Sequence, residues 1–183
     1  DGRFELQNVP AGSASITTTA PRFDPRTENV SLAEGANTHD VVLTPQTLFT
    51  YQNAVAYLPT GIAEYKAAIV FLPGLRDPST GLPLDSRGLV RGTEAGCSIW
   101  CSAQEKAAVR TGALALAGGN VALIGTTTLL DDAGGYQALL QALTQFGTQS
   151  LHPELATIPI FFVGHSMGGC TAYGFTRIHG ARV

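Results

Sequence analysis

Two regimes of apolar spacing divide the chain. Over residues 1–45, short apolar runs at 4–9, 15–19, 30–32 and 41–43 are separated by Pro10-Ala11-Gly12, Gly35 and Pro45. Strands about ten residues apart with Gly and Pro between them predict a small antiparallel sheet. From Gln46 the spacing lengthens. Residues 49–58 read as one or two strands, and 67–72, 121–125 and 158–163 as buried strands, with Pro159 tolerable only near a strand start.

Helical patterns fill the gaps between these later strands. Residues 102–117 predict a helix with Ser102 as N-cap, Glu105 in the capping-box position and Gly118-Gly119 as its end. A second helix is marked by Tyr136, Leu139, Leu140, Leu143 and Phe146, the spacing of one buried face. Continuous apolar strands alternating with amphipathic helices predict an α/β class, with a parallel sheet covered on both faces. The expected division is a β-module over residues 1–45 and an α/β domain over 46–183.

Composition narrows the partners. Of the 183 residues 44% are hydrophobic and 14% charged, which excludes a disordered chain. No apolar run approaches the roughly 18–20 residues that cross a bilayer, so no transmembrane segment is expected. The nine Arg and two Lys are scattered and the net charge is -3, so a nucleic-acid partner is not expected. Residues 1–45 carry six acids against three Arg, whereas 46–183 carry eight of each sign, which places the whole net charge in the β-module. The chain begins Asp1-Gly2-Arg3-Phe4 without a Met or an apolar leader and stops close behind a helical pattern. Both ends therefore read as cut, and a signal for export would lie upstream of residue 1.

The chemistry concentrates in Gly164-His165-Ser166-Met167-Gly168-Gly169, which follows the apolar run 160–163 and precedes the helix-compatible run 170–178. A G-x-S-x-G string alone is a weak signal in a chain with 21 Gly. Strand, tight turn and helix in succession raise its weight, because so sharp a turn brings backbone against backbone and lifts the serine Oγ above the sheet. The hydroxyl would then stand at the positive end of the following helix.

On these residues the segment 49–183 resembles the α/β-hydrolase superfamily, with Gly164, Ser166 and Gly168 as its nucleophile elbow. The resemblance implies that Ser166 attacks an acyl carbonyl and that the Met167 N–H forms half of an oxyanion hole. The other half would be the Leu75 N–H, in the Phe71-Leu72-Pro73-Gly74-Leu75 segment, where Pro73 stands in place of the family's His. A serine in the elbow implies carboxylic ester hydrolysis through an acyl-enzyme on a small-molecule or polymeric ester. His152-Pro153-Glu154-Leu155-Ala156 and the run 119–125 resemble secreted esterases of the polyhydroxybutyrate depolymerase and feruloyl esterase groups. A secreted or periplasmic location is the matching expectation. Asp1-Gly2-Arg3-Phe4-Glu5-Leu6, Val9-Pro10-Ala11-Gly12 and the run 40–45 resemble the C-terminal part of a carboxypeptidase regulatory-like, transthyretin-like β-sandwich, which implies a structural or substrate-presenting appendage.

The family order places the acid and then the base after the nucleophile. No Asp or Glu follows Ser166, and His179 lies thirteen residues along the same predicted helix, about 20 Å away at 1.5 Å per residue. His39, His152 and His165 read as structural or surface residues, with His165 packed beneath the turn. The expectation is a nucleophile half without its acid and base, inactive alone. Asp131 and Asp132 read as a turn and cap, with a substrate contact as the sharper alternative. The long loop 75–100 could form part of a binding wall with Trp100 as its apolar surface, or equally be a mere insertion. Cys97 and Cys101 could form a short disulfide ring, and they make a poor zinc site without nearby histidines. Cys170 reads as a buried small apolar residue. No cofactor and no metal is expected. The rival readings are a binding or adhesion protein on a hydrolase-like scaffold, and a serine peptidase or acyltransferase on the same sheet.

Overall fold

The computed structural model describes residues 5, 7–20, 22–74, 85–92, 103–115, 119–127 and 133–183. The chain forms two compact units, Asp1–Gln46 and Thr47–Val183.

In the first unit β1 (Gly12–Thr18) pairs antiparallel with β2 (Arg26–Leu32), in register from Gly12↔Leu32 to Thr18↔Arg26. Thr17 and Thr27 face each other across the pair with hydroxyls 2.9 Å apart. Ala14, Ile16, Val30 and Leu32 line one half-buried face, and none of the described residues of this unit is fully buried. Two expected strands do not occur among the described residues: Glu5 and residues 7–9 lie outside any ladder, and 41–43 run irregularly. Beside 41–43, pairing among the described residues consists of one antiparallel bridge, Phe23↔Pro45, and the bonds Asp24 N–H to Thr44 O and Gln46 N–H to Arg22 O. Pro25 and Pro45 bring no N–H with which to extend that bridge into a strand. Arg26 spans the gap instead, donating to Val42 O at 2.6 Å and to Glu28 Oε1 at 2.6 Å.

The second unit is a five-stranded sheet in the order β3-β4-β6-β5-β7. β3 (Leu48–Tyr51) and β4 (Ala54–Tyr57) are antiparallel, and β4 lies antiparallel to β6 (Val121–Thr126). β5 (Ala67–Leu72) runs parallel to β6 on one side and to β7 (Ile160–Gly164) on the other. The sheet is thus mixed rather than parallel. Only Gln52 and Asn53 join β3 to β4, and a two-residue connection forces the chain to return antiparallel. Gln52 takes φ 49° to make that turn.

Residues alternate between two cores, one on each face of the sheet. Ala56, Val70, Leu72, Ala122 and Ile124 pack with Tyr136, Leu139, Leu143 and Phe146 of α3 (Ala133–Ser150) and Phe175 of α4 (Met167–His179). Val55, Phe71, Val121 and Leu123 pack with Leu89 and Val90 of α1 (Arg87–Arg91) and Val109 of α2 (Ala103–Ala115). Arg110 fixes α2 to this second face, donating Nε and Nη2 to Val90 O while its guanidinium lies 4.6 Å from the Tyr57 ring centre. Every residue of β6 is buried, as a strand covered on both faces requires. No helix among the described residues is long and apolar enough to cross a membrane.

Candidate active site

At the last rung between β5 and β7, Leu72 pairs with Gly164. α4 begins three residues later, at Met167, so His165 and Ser166 alone turn the chain from strand to helix. Three backbone bonds hold the turn: His165 N–H to Leu72 O at 3.2 Å, Gly168 N–H to His165 O at 2.8 Å and Gly169 N–H to Ser166 O at 2.9 Å.

The two outer glycines of the motif are required by space. A Cβ on Gly164 would stand 2.6 Å from Gly168 C and O and 2.7 Å from Gly169 N. A Cβ on Gly168 would run into Leu72 O and stand 2.9 Å from Pro73 O. Gly169 has nothing within 4 Å of the same position. Packed this closely, the chain drives Ser166 to φ 52° and ψ −121°, outside the wells open to an L residue and outside the left-handed helical region. Such a conformation costs about 1–3 kcal/mol and persists only where its surroundings impose it.

Ser166 is exposed and its hydroxyl makes no capping bond to α4. The Met167 N–H, first in the helix, has no backbone acceptor among the described residues. These features place an unengaged hydroxyl beside an open amide at a positive helix end, a setting that favours developing negative charge. The segment after β5 lies against this turn, because Leu72 O accepts from His165 and the Leu72 and Pro73 carbonyls bed Gly168.

Strand order gives the location further meaning. From β5 the chain passes by α2 to β6 on one side, then by α3 to β7 on the other, and the two helices lie on opposite faces. The reversal falls between β5 and β7. In open α/β sheets the crevice outside the carboxyl ends at such a reversal is where ligands bind. Ser166 and Pro73-Gly74 occupy that position.

The remaining candidates fall elsewhere. His179 ends α4 and packs on Phe175 and Tyr136, with ring centres 4.8 and 6.3 Å away. His152 precedes the short 3-10 turn Pro153–Ala156 at the amino end of β7; its Nδ1 is 2.8 Å from Glu154 Oε1 and its ring meets Tyr65 edge-on at 4.8 Å. Burial opposes ionisation of Glu154, but the Tyr65 N–H at 3.0 Å, together with the Glu154 N–H and His152, outweighs it and holds the carboxyl below its ordinary range. In the first unit the His39 hydrogen bond holds the Glu28 carboxyl low against desolvation, with Arg26 adding to the effect.

Three expectations are corrected. The run 158–163 is not a buried strand, since Phe161 and Val163 of β7 are exposed. His165 is exposed rather than packed beneath the turn. Cys170 is exposed rather than buried, because the inward face of α4 is Gly168, Thr171 and Phe175, and position 170 points away from it. Leu75, Asp131, Asp132, Trp100, Cys97, Cys101 and Ser102 lie outside the described residues. Among the described residues no group of three or more His, Cys, Asp or Glu side chains is placed to hold a metal ion.

The sequence reading missed Asp85-Ser86-Arg87. Ser86 is fully buried, with its Oγ 2.7 Å from Phe71 O, 3.0 Å from Thr126 O and 2.9 Å from Thr126 N. Asp85 accepts the Arg87 backbone N–H at 2.8 Å and is forked by the Arg87 guanidinium. The available signal was a turn-favouring Asp-Ser ahead of apolar Leu89-Val90, which marks a helix start and nothing more.

No family model matches the chain, and neither the curated proteins nor the solved structures contain one significantly similar to it.

Proposed function

We propose that the second unit carries the nucleophile half of a serine hydrolase site of the α/β-hydrolase kind, acting on carboxylic esters through an acyl-enzyme at Ser166. The observation that carries this reading is the strained, exposed Ser166, forced to φ 52° between a strand and a helix by two glycines that admit no side chain. A surface serine with no task has no reason to occupy so costly a conformation.

In this reading the Ser166 Oγ adds to the ester carbonyl and the alkoxide leaves, giving an acyl-serine that water then cleaves to acid and free enzyme. The Met167 N–H receives the oxyanion, and the segment following Gly74, including the Leu75 N–H, supplies the second donor. Each such donor is worth about 3–4 kcal/mol in the transition state. Proton transfer from Ser166 requires a base, yet no hydrogen bond to its hydroxyl occurs among the described residues. Because the family order puts acid and base after the nucleophile and no Asp or Glu follows Ser166, the reading takes both from outside residues 1–183, and the chain alone is proposed to be inactive. Ester substrate, exported location and the appendage role of the first unit belong to the same proposal.

A fluorophosphonate probe applied to the full-length protein tests it. Labelling that disappears in Ser166→Ala supports the assignment. A full-length protein that stays unlabelled, or is labelled equally well after that substitution, removes it.

A further inference from the structure

We propose that Ser86 is a positioning residue for the Ser166 site, acting as a wedge that sets the end of β5 against the elbow. The inference rests on the hydrolase reading for its catalytic consequence and on the geometry for its mechanical part.

The β5–β6 ladder stops at Phe71↔Gly125, while the β5–β7 ladder continues one rung further, to Leu72↔Gly164. At the missing rung stands Ser86. Its hydroxyl accepts the Thr126 N–H at 2.9 Å and can donate either to Phe71 O at 2.7 Å or to Thr126 O at 3.0 Å, while its own N–H meets Thr126 O at 3.2 Å. One side chain thus replaces the bonds that β6 would have offered β5, and it holds the two strand ends apart. Gly125 is what lets the segment come so close, since a Cβ there would meet Ser86 O at 2.5 Å and Arg87 Cα at 2.9 Å. Asp85 and Arg87 brace the wedge on both sides by the backbone and guanidinium bonds between them.

The consequence passes along the backbone. With Phe71 O held by Ser86 on the β6 side, the next carbonyl, that of Leu72, points to the His165 N–H, and Leu72 and Pro73 form the bed of Gly168. The path runs Thr126, Ser86, Phe71, Leu72, His165, with Ser166 next. Each link is a hydrogen bond or one residue of chain. Ser86 touches no reacting atom. It fixes the height of the segment that faces the nucleophile, where an error of about 1 Å is enough to cost a large part of the rate.

The test uses the full-length protein with Ser86→Ala and, as a shape-preserving second variant with a weak donor, Ser86→Cys. Rates are expressed per active site titrated with fluorophosphonate, so that misfolded protein does not count. The expected result is a kcat for p-nitrophenyl esters lowered about tenfold or more with KM within about twofold, as for an interaction made in the transition state. Ser86→Cys should fall between. In parallel, the His165 amide, bonded to Leu72 O, should exchange its hydrogen faster in Ser86→Ala while the amides of α3 keep their protection.

A variant that melts earlier but turns over normally per titrated site overturns the proposal, since Ser86 would then be a structural bond only. If the unmodified protein is not labelled at Ser166, the hydrolase reading fails. Unchanged His165 exchange in both variants then refutes the wedge itself, and faster exchange sustains it as a mechanical element.

Discussion

Alanine placed at each glycine of the elbow should separate space from conformational freedom. In Gly168→Ala the new methyl runs into the carbonyl of Leu72 and approaches Leu72 C and Pro73 O to 2.9 Å. Those atoms belong to the last residue of β5, the strand between β6 and β7, and to the residue after it, so relief requires moving α4 off the sheet end. Overpacking of this kind costs about 1–3 kcal/mol. Loss of the His165 to Leu72 bond adds about 1 kcal/mol. A total near 3 kcal/mol lowers the melting temperature by about 6–12 °C in a chain of this size. Gly164→Ala meets the first turn of α4 instead, at 2.6 Å, and should cost a similar amount. Gly169→Ala meets nothing, and alanine is the better helix former by about 0.5–1 kcal/mol, so this variant should match or exceed the unmodified protein. Urea unfolding with comparison of slopes and midpoints measures all three. Gly168→Ala melting within a degree of the unmodified protein, or Gly169→Ala as damaging as Gly168→Ala, would show that the turn is not packed as described.

Three further outcomes follow from local strain and charge. Ser166→Gly should stabilise by about 1–2 kcal/mol, because glycine occupies φ 52° without penalty, while abolishing fluorophosphonate labelling; stability unchanged in chemical denaturation counts against strain at this site. Leu151, exposed at φ 60°, sits where α3 ends, and the bond from His152 N–H to Gly147 O closes the turn that normally takes glycine, so Leu151→Gly should gain about 1 kcal/mol by the same assay, and a loss refutes it. Glu154 has its carboxyl held low in the fold, so its contribution is present above the unfolded value of about 4.3 and disappears as pH falls through the lower folded value. Glu154→Gln should therefore melt earlier than the unmodified protein at neutral pH, with the gap closing below pH about 4, and a gap independent of pH contradicts the assignment.

Element identity in the second unit was legible because the buried strands carry their own period. The runs at 67–72 and 121–125 became β5 and β6 with little change, since strands buried on both faces need apolar residues at every position. Tyr136, Leu139, Leu143 and Phe146 are all buried on one face of α3, while Leu140, at the margin of that face, is half-buried. Strand direction was not legible: residues 49–58 gave the strands, but only the two-residue turn at Gln52-Asn53 shows that they reverse. In the first unit the runs 4–9 and 41–43 looked like strands by composition, and what decides pairing is the placement of prolines on neighbouring segments. At the site, the glycine spacing identified the turn, but which glycines are sterically needed appears only with Leu72 and Pro73 in place. Ser86 was invisible because its partners lie 15 and 40 residues away, at Phe71 and Thr126.

The location of strain relative to topology links these features. From β5 the chain reaches β6 by a helix on one face and from β6 reaches β7 by a helix on the other face, so the two connections diverge about the gap between the ends of β5 and β7. Backbone in that gap must close on itself, and here it does so by pressing Gly168 onto the Leu72 and Pro73 carbonyls. The same contact that closes the gap holds Ser166 at its unfavourable φ, so relaxation of the serine would require β5 and α4 to separate. Exposure of the hydroxyl and the close approach of Gly164 and Gly168 to neighbouring backbone are thus two results of one packing event. Any change that loosens the end of β5, whether at Gly125, Ser86 or Leu72, should therefore reach Ser166 before it reaches α3, and comparison of amide exchange at His165 and at Leu139 is the measurement that distinguishes this order from uniform loosening.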